Sequence, residues 1–323
     1  MPKVVLVTGG AGYLGSLAVE ELLRRGFHVR ALDMLLHGNR TSVEAFRSRP
    51  EYAFVEADLR DRDARRRALE GAWAVVHLAA IVGDPACARQ PELAREVNLE
   101  ATVGLLDDAE RAGVRRFVFA STCSNYGMID GQSVATEESP LNPVSLYAET
   151  KVAAELEVLA RTSHSFATTC VRLATVFGVS PRMRFDLTVN EFTRDVVLRR
   201  RLVVYGEQFW RPYVHVRDAA RGIRLVLEAR RDDVAGEVFN LGSTRENYRK
   251  LDLVRLLEQR FPDLQVEFVR QTEDPRDYRV SFEKARARLG FEIDTPVPGG
   301  IDEISELLRS GGVSDPYAPV YRN

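Results

Sequence analysis

The sequence has few cysteines and almost no net charge. Its 323 residues include three cysteines, Cys87, Cys123 and Cys170, at spacings that suit neither a disulfide framework nor a zinc site. The 45 basic residues nearly balance the 47 acidic ones, so the formal net charge is −2. A charge near zero predicts neither a nucleic-acid partner nor a membrane surface, and we expect no metal site.

Long apolar runs are also missing. No stretch approaches the ~20 apolar residues that a membrane-spanning helix needs. The apolar run at residues 4–7 meets Thr8, Gly9 and Gly10 too soon to be the core of a signal peptide. Together with the scattered cysteines, these absences predict a cytoplasmic protein with no membrane partner.

The first half of the chain does contain a regular alternation of short apolar runs with longer amphipathic stretches. This rhythm predicts βαβ units, and hence an α/β fold with a Rossmann doubly wound parallel sheet. Runs of Val, Leu and Ala are typical of strands buried on both faces. The runs lie at residues 4–7, 29–32, 54–55, 74–78, 117–120 and 168–173, and the amphipathic stretches at 14–25, 61–69, 92–112 and 144–161.

After about residue 175 the rhythm becomes irregular, which predicts a smaller, mixed α/β second domain. We expect residues 1–175, with returning elements near 213–241, to form the Rossmann domain. Residues 176–323 then form an interleaved second domain, with the site in the cleft between the two. The tail at residues 314–323 has two prolines and little periodicity, so we expect it to be extended or loosely docked.

A glycine-rich loop follows the first predicted strand and begins the first predicted helix. Gly9, Gly12 and Gly15 permit a tight turn and a close approach of backbone to a diphosphate, which the helix N-terminus then attracts. This placement predicts a dinucleotide site with Tyr13 and Leu14 as further contacts, whereas the alternative is an ordinary glycine-rich turn.

Two aspartates follow later strands. Asp33 ends the second strand, where an acidic side chain can accept hydrogen bonds from the adenosine ribose and repel a 2′-phosphate. It therefore favours NAD, although Arg40 nearby keeps NADP open. Asp58, followed by Leu59, is predicted to contact the adenine, with capping of the next helix as the alternative.

The fourth strand ends in small residues. Leu78, Ala79 and Ala80 leave room for a backbone to pass beside the cofactor, although they also suit any crowded strand end. Asn98 lies in a predicted helix, where asparagine is a poor helix former, so we expect it to have a specific hydrogen-bonding role at the cofactor.

Tyr147 and Lys151 are four residues apart in a predicted helix and therefore share one face. An ammonium beside a phenol lowers the pKa of the phenol, so Tyr147 is a candidate proton carrier for a sugar hydroxyl. The fifth strand ends in a run of hydroxyl residues at the edge where open α/β sheets bind ligands. These hydroxyls either orient the reacting oxygen or simply turn the chain.

The motifs together resemble the extended short-chain dehydrogenase/reductases, in particular the NAD-dependent nucleotide-sugar epimerase/dehydratase family. The resemblance covers nearly the whole chain. It rests on residues 8–15 (TGGAGYLG), 77–80 (HLAA), 121–127 (STCSNYG), 147–151 (YAETK), 211–218 (RPYVHVRD) and 239–243 (FNLGS).

The resemblance implies a catalytic set. It implies that Thr122 is the catalytic hydroxyl, that Tyr147 is the acid/base, and that Lys151 lowers the pKa of Tyr147 and binds ribose. It also implies hydride transfer between C4 of a nucleotide-sugar and NAD. The second domain is then the nucleotide-sugar-binding domain.

The chain departs from the family at three positions. Relatives that eliminate water carry Asp-Glu after the catalytic Thr, whereas this chain has Cys123 and Ser124, so 4,6-dehydratase activity is not expected. Cys123 is interpreted as a small filler, with a role as acid or base as the alternative. Thr175 replaces a common substrate-binding Asn, so the substrate contacts there differ.

The remaining expectations concern the substrate. Family position implies that Arg211 and Arg276 bind the diphosphate. Asn190 is expected at the diphosphate or the sugar, and Tyr205 near the nucleotide base. The runs at residues 172–190 and 274–281 resemble a subgroup that contains GDP-heptose 4-dehydrogenases. His77 and His215 are interpreted as structural.

The resemblance leaves the net reaction open. A 4-epimerase, and a net C4 dehydrogenase or ketoreductase on a GDP- or dTDP-sugar, use the same residues, and a non-catalytic NAD-binding regulator is the distant alternative. Family members commonly form homodimers through the helices at residues 92–112 and 144–161, so we expect a homodimer with a four-helix bundle at its interface.

Overall fold

The computed structural model describes residues 2–129, 133–270 and 277–323. Its strands are β1 (Val4–Thr8), β2 (His28–Asp33), β3 (Tyr52–Glu56), β4 (Ala72–His77), β5 (Arg116–Thr122), β6 (Ala167–Leu173), β7 (Thr175–Phe177), β8 (Arg201–Tyr205), β9 (Trp210–His215), β10 (Glu237–Leu241), β11 (Asn247–Arg249) and β12 (Gln265–Val269).

The helices alternate with these strands. They are α1 (Tyr13–Arg24), α2 (Arg40–Glu44), α3 (Arg62–Leu69), α4 (Asp84–Arg89), α5 (Pro91–Arg95), α6 (Ala101–Arg111), α7 (Leu146–Ala160), α8 (Thr188–Arg199), α9 (Val216–Glu228), α10 (Arg231–Val234), α11 (Lys250–Glu258), α12 (Glu283–Leu289) and α13 (Val297–Arg309). A π-helical turn, Glu96–Glu100, joins α5 to α6, and a 3-10 turn, Cys123–Tyr126, follows β5.

A seven-stranded parallel sheet forms the centre of the fold. Its strand order is β10-β6-β5-β4-β1-β2-β3, so the chain reverses its direction of progress across the sheet between β1 and β4. Strands β1 and β4 to β6 are almost wholly buried, because helices cover both faces of the sheet. The α/β fold with a Rossmann sheet is thus confirmed.

Two small sheets lie outside the central one. One has the order β11-β9-β7 and the other pairs β12 with β8 in parallel. Helix α9 packs against α1 beside the central sheet, whereas α13 packs against α8 beside the small sheets. The chain therefore leaves the large sheet after β6 and returns to it with α9 and β10.

The C-terminal tail is held more firmly than its sequence predicts. The backbone amide of Phe185 donates to the carbonyl of Tyr321 at 2.9 Å, and Tyr317 donates to the Asp195 carboxylate at 2.9 Å. Arg199 stacks on the ring of Tyr317, at 3.9 Å from guanidinium carbon to ring centroid. The expectation of loose docking is wrong, because tyrosines in the tail find partners on and next to α8.

Within the described ranges, none of the helices combines the length and the apolar character needed to traverse a bilayer.

Candidate active site

A cleft of about 480 Å3 opens at the carboxyl ends of the parallel strands, across the switch between β1 and β4. Open α/β sheets bind their ligands at this position. The cleft brings together sixteen of the predicted residues: Gly9, Gly12, Tyr13, Leu14, Asp33, Asp58, Leu59, Leu78, Ala79, Ala80, Thr122, Ser124, Tyr147, Lys151, Thr175 and Arg211.

The glycine loop packs against the end of β4 with no space for side chains. Gly9 has a φ of 71°, and a Cβ added there would lie 2.8 Å from the backbone nitrogen of Ala79. A Cβ on Gly15 would overlap the carbonyl of Gly9. These close approaches leave the N-terminus of α1 open to the cleft, which is the arrangement that a dinucleotide diphosphate requires. The loop therefore fits NAD.

Asp33, the predicted ribose ligand, ends β2 and lines the cleft. Its carboxylate accepts the backbone amides of Ala11 at 3.1 Å and Leu35 at 2.8 Å, and the second bond holds Leu35 in a left-handed conformation with φ 55°. Burial raises the pKa of Asp33. Arg40, which kept NADP open, pairs instead with Glu56 at 2.8 Å and lies outside the cleft.

Asp58 is held by Arg60 and does not cap a helix. It accepts the Arg60 backbone amide at 2.8 Å and the Arg60 guanidinium at 2.7 Å, and this hydrogen bonding lowers the pKa of Asp58. Asp61 caps α3 by accepting the amides of residues 63 and 64. The alternative that Asp58 caps this helix is therefore wrong, and Asp58 keeps its place on the cleft wall.

Asn98 acts from behind the cleft. It is buried in the π-helical turn, and its amide group bonds both the nitrogen and the carbonyl of Ile81, at 2.8 and 3.0 Å. It also donates to Thr150 in α7 at 3.3 Å. Asn98 therefore connects the segment after β4 to the helix of Tyr147, and the structure does not place it on the cleft wall.

Tyr147 and Lys151 both line the cleft, but they do not bond to each other. The Lys151 ammonium donates to the Ala120 carbonyl at 2.9 Å, and burial lowers its pKa to about 8. Burial raises the pKa of Tyr147, and Arg184 is the cation that lowers it. The ammonium is hydrogen-bonded to the end of β5 and not to the phenol, and the effect of Lys151 on the pKa of Tyr147 stays a prediction.

Thr122 and Ser124 present hydroxyls at the end of β5. Thr122 accepts the backbone amide of Ser124 at 3.1 Å, and this bond begins the 3-10 turn. The Ser124 hydroxyl lies 3.3 Å from the phenol oxygen of Tyr278, which also lines the cleft. The turn therefore both ends the strand and aims hydroxyl groups at the cleft.

Cys123 points away from the cleft. It is buried, its thiol donates to the Arg172 carbonyl at 3.4 Å, and burial raises the pKa of the thiol. Beneath it, Arg172 pairs with Glu155 of α7 and donates to the Tyr126 phenol at 2.9 Å. The position favours the filler interpretation of Cys123 over a role as acid or base.

Two predicted substrate residues lie elsewhere. Asn190 is 0% exposed, and its amide bonds the Gly178 nitrogen at 2.9 Å and the Arg184 carbonyl at 2.8 Å. It therefore shapes the segment before α8 and does not face the cleft. Tyr205 is 55% exposed at the end of β8, also outside the cleft. Arg276 lies outside the described residues.

The sequence reasoning missed several polar residues that line the cleft. They are His37, Arg60, Arg182, Arg184, Thr188, Lys250, Tyr278 and Asn323. The arginines at 182 and 184 lie in the run at residues 172–190, whose resemblance to a subgroup of the family was noted without a role for either arginine.

Both strand-end histidines have structural partners. His77 bonds the hydroxyls of Thr8 at 2.6 Å and Thr102 at 2.8 Å, and burial lowers its pKa to about 3. His215 pairs with Glu303 at 2.8 Å. In the portion of the chain that the structure describes, no group of three or more His, Cys, Asp or Glu side chains is arranged to hold a metal ion.

Comparisons with known proteins agree with this geometry. A sequence model of the NAD dependent epimerase/dehydratase family matches residues 5–242. A dTDP-glucose 4,6-dehydratase of Streptomyces griseus is 34% identical, over 93% of this chain and 92% of its own. A UDP-glucose 4-epimerase of Bacillus subtilis is 28% identical, over 89% of this chain and 91% of its own.

Solved structures show the same likeness. A dTDP-glucose 4,6-dehydratase of Streptomyces venezuelae, crystallised with NAD, has a TM-score of 0.84 at 29% identity and covers 96% of this chain and 98% of its own. A UDP-glucose 4-epimerase of Thermotoga maritima, crystallised with UDP-glucose, has a TM-score of 0.84 at 27% identity and covers 96% and 100%.

Proposed function

The chain belongs to the NAD-dependent epimerase/dehydratase family, and on that premise we propose that it transfers hydride between C4 of a nucleotide-sugar and NAD. One observation carries the proposal. The residues that such chemistry needs, Thr122, Tyr147 and Lys151, line a single cleft with the glycine loop that fits the cofactor. A non-catalytic regulator would not need this set.

In the proposed oxidation, the C4 hydroxyl loses a proton to one acceptor and C4 loses a hydride to another. Tyr147 would accept the C4 hydroxyl proton in its phenolate form, which we propose that the Lys151 ammonium stabilises, while Thr122 orients the same C4 oxygen by hydrogen bonding. Bound at the glycine loop, NAD would supply the hydride acceptor for C4. One ammonium proton of Lys151 is donated to the Ala120 carbonyl. The other two are available to hydroxyl groups in the cleft.

Elimination of water is not part of the proposal, although several relatives are 4,6-dehydratases. Removing the C6 hydroxyl requires an acid beside it. Here the Cys123 thiol is buried away from the cleft and bonds the Arg172 carbonyl, and the neutral hydroxyl of Ser124 is a poor acid. The proposed product keeps every oxygen of its substrate, as in an epimerisation in which the 4-keto sugar turns and takes hydride back on its opposite face.

The test is a screen of purified protein against UDP-, dTDP-, GDP- and CDP-sugars, with the products identified by mass spectrometry and NMR. An isomer of unchanged mass, with no net NADH, supports a 4-epimerase. A product lighter by two hydrogens, formed together with NADH, supports a net dehydrogenase. A product lighter by one water would contradict the expectation that Cys123 and Ser124 do not support elimination. No turnover, with intact NAD binding, would favour the regulator.

The buried thiols and the exposed residues of α7 bear on the compartment and the oligomeric state of the protein. We infer a cytoplasmic protein, because Cys87, Cys123 and Cys170 are all buried free thiols.

We also infer a homodimer through α6 and α7, since Leu156 of α7 is 61% exposed and Val152 lies one turn away on the same face. The division into a Rossmann domain and a nucleotide-sugar-binding domain remains part of this proposal.

A further inference from the structure

Arg182 is a buried cation at the wall of the cleft. Its side chain contributes to the lining although the residue is only 5% exposed. One guanidinium nitrogen donates to the backbone carbonyl of Arg322 at 3.0 Å. Among the residues that the structure describes, its buried Nε has no hydrogen-bond partner. A buried donor left unsatisfied costs free energy, so such a donor beside a cleft points to a ligand.

Among the described residues, Arg182 also has no carboxylate in direct contact. Its neighbour Arg184 has a carboxylate of its own, Asp186, which it holds in a forked ion pair at 2.9 and 2.6 Å. Burial, and then the charge of Arg184, lower the pKa of Arg182 to about 10, so it is still a cation at neutral pH. Because Asp186 is bound by Arg184, the guanidinium of Arg182 remains available to an anion in the cleft.

Three hydrogen bonds fix where that anion would lie. The Tyr13 phenol donates to the Gly178 carbonyl at 2.6 Å, and the Ser180 hydroxyl donates to the Tyr13 carbonyl at 2.7 Å. Ser180 also bonds the hydroxyl of Ser16 at 3.2 Å. The segment that leads to Arg182 is therefore docked on the first turn of α1, directly after the glycine loop.

The electrostatic partners of Arg182 agree with this location. Asp33, at the predicted ribose position, stabilises the charged form of Arg182, and Arg182 in turn favours the ionised form of Asp33. His37, in the loop after β2, experiences the charge of both arginines, which lower its pKa together with burial to about 4. Arg182 is thus on the cofactor side of the cleft.

We propose that Arg182 binds the diphosphate of NAD, on the opposite side from the backbone amides at the start of α1. The inference rests on the NAD-dependent function proposed above and adds a ligand from the second half of the chain. A dinucleotide diphosphate carries two negative charges, and a guanidinium fork matches the geometry of its oxygens.

The tail supports Arg182 from outside. Arg322 provides the carbonyl that holds its guanidinium, and the backbone amide of Asn323 donates to Asp186 at 3.3 Å. Asn323 itself lines the cleft. Arg182 and the tail thus cover the diphosphate position, so we expect NAD to leave slowly and to be retained between turnovers.

The experiment compares Arg182→Gln with Arg40→Gln, a matched control whose arginine pairs with Glu56 outside the cleft. NADH binding is followed by the fluorescence of its reduced ring, and ADP-ribose and adenosine are used as competitors. Arg182→Gln should weaken the binding of NADH and of ADP-ribose by about tenfold or more, because hydrogen bonds to charged groups are stronger than those between neutral groups. Adenosine, which has no phosphate, should bind as in the wild type, and NADH release should be faster.

Several outcomes would overturn the inference. Unchanged NADH affinity in Arg182→Gln, or an equal loss for adenosine, would show that Arg182 does not act on the diphosphate. A loss of affinity confined to UDP, dTDP or GDP would show that Arg182 binds the substrate and not the cofactor. If Arg182→Gln does not fold, Arg182→Lys is used, which should show intermediate affinity because it keeps the charge without the fork. Wild-type protein that binds no NADH would contradict the proposed function itself.

Discussion

At the scale of single residues, the site combines a buried phenol with cations that have their own partners. Tyr147 receives its strongest stabilising charge from Arg184, which comes from the second half of the chain, whereas Lys151 is held by Ala120. Arg184 thus adds a charge from outside the YxxxK spacing to the surroundings of the phenol.

Replacing Tyr147 tests its chemical role directly. Tyr147→Phe removes only the hydroxyl, so we expect turnover to fall by roughly 10²–10⁴-fold, the usual contribution of a positioned proton carrier. NADH fluorescence should report unchanged cofactor binding. Tyr205→Phe, on the exposed end of β8, serves as the control and should retain its rate. Unchanged turnover in Tyr147→Phe would remove it from the mechanism.

His77 gives the protein a defined response to acid. Burial lowers its folded pKa from 6.5 to about 3, so between these pH values the unfolded chain binds a proton that the folded chain does not. The contribution of His77 to the free energy of unfolding is therefore complete above pH 6.5 and is lost as the pH falls toward 3. Urea titrations of the wild type and His77→Gln should show a steeper acid loss in the wild type, and parallel curves would contradict this.

At the scale of elements, the π-helical turn connects two parts of the site. Asn98 can bond Ile81 and Thr150 together because the turn widens the helix at that point. The sequence indicated that this asparagine is specific, yet it suggested the wrong neighbour, since a helix pattern does not show which loop packs against it. The side chain braces the segment after β4 where a cofactor contact was expected.

Asn98→Ala should therefore destabilise the fold more than it changes substrate chemistry. It leaves the buried amide of Ile81 without its partner, while the Ile81 carbonyl keeps only the Cys87 thiol at 3.3 Å. An unsatisfied buried group costs about 1–3 kcal/mol. Urea denaturation measures the change in the free energy of unfolding. Gln259→Ala, on the exposed end of α11, is the control and should be close to neutral. Wild-type stability in Asn98→Ala would contradict the bracing role.

The elements were more predictable than their contacts. Apolar runs and glycine spacing predict β1 to β6, α1 and the cofactor loop because that information is local. The position of Asn190 was not predictable, since its partners, Gly178 and Arg184, lie on an irregular loop. Tyr205 was placed near the nucleotide by family likeness, and only the packing of β8 shows that it faces solvent.

At the scale of the whole molecule, the exposed apolar face of α7 predicts the oligomeric state. Leu156→Glu places a charge in the proposed helix bundle, so light scattering after size exclusion should show a shift from dimer to monomer. Leu198→Glu, at an exposed position on α8, is the matched control and should stay dimeric. A monomeric wild type would refute the proposed dimer.

The docking of residues 178–182 on α1 also affects the order in which the chain folds and becomes able to bind its cofactor. The bonds from Tyr13 and Ser16 reach across more than 160 positions of sequence. Contacts of such high order form late, because the closure of a long loop precedes any gain from them. Strands β1 to β6, whose contacts span less sequence, should therefore pair first, and tight cofactor binding should come last, as a slow phase of NADH fluorescence after refolding.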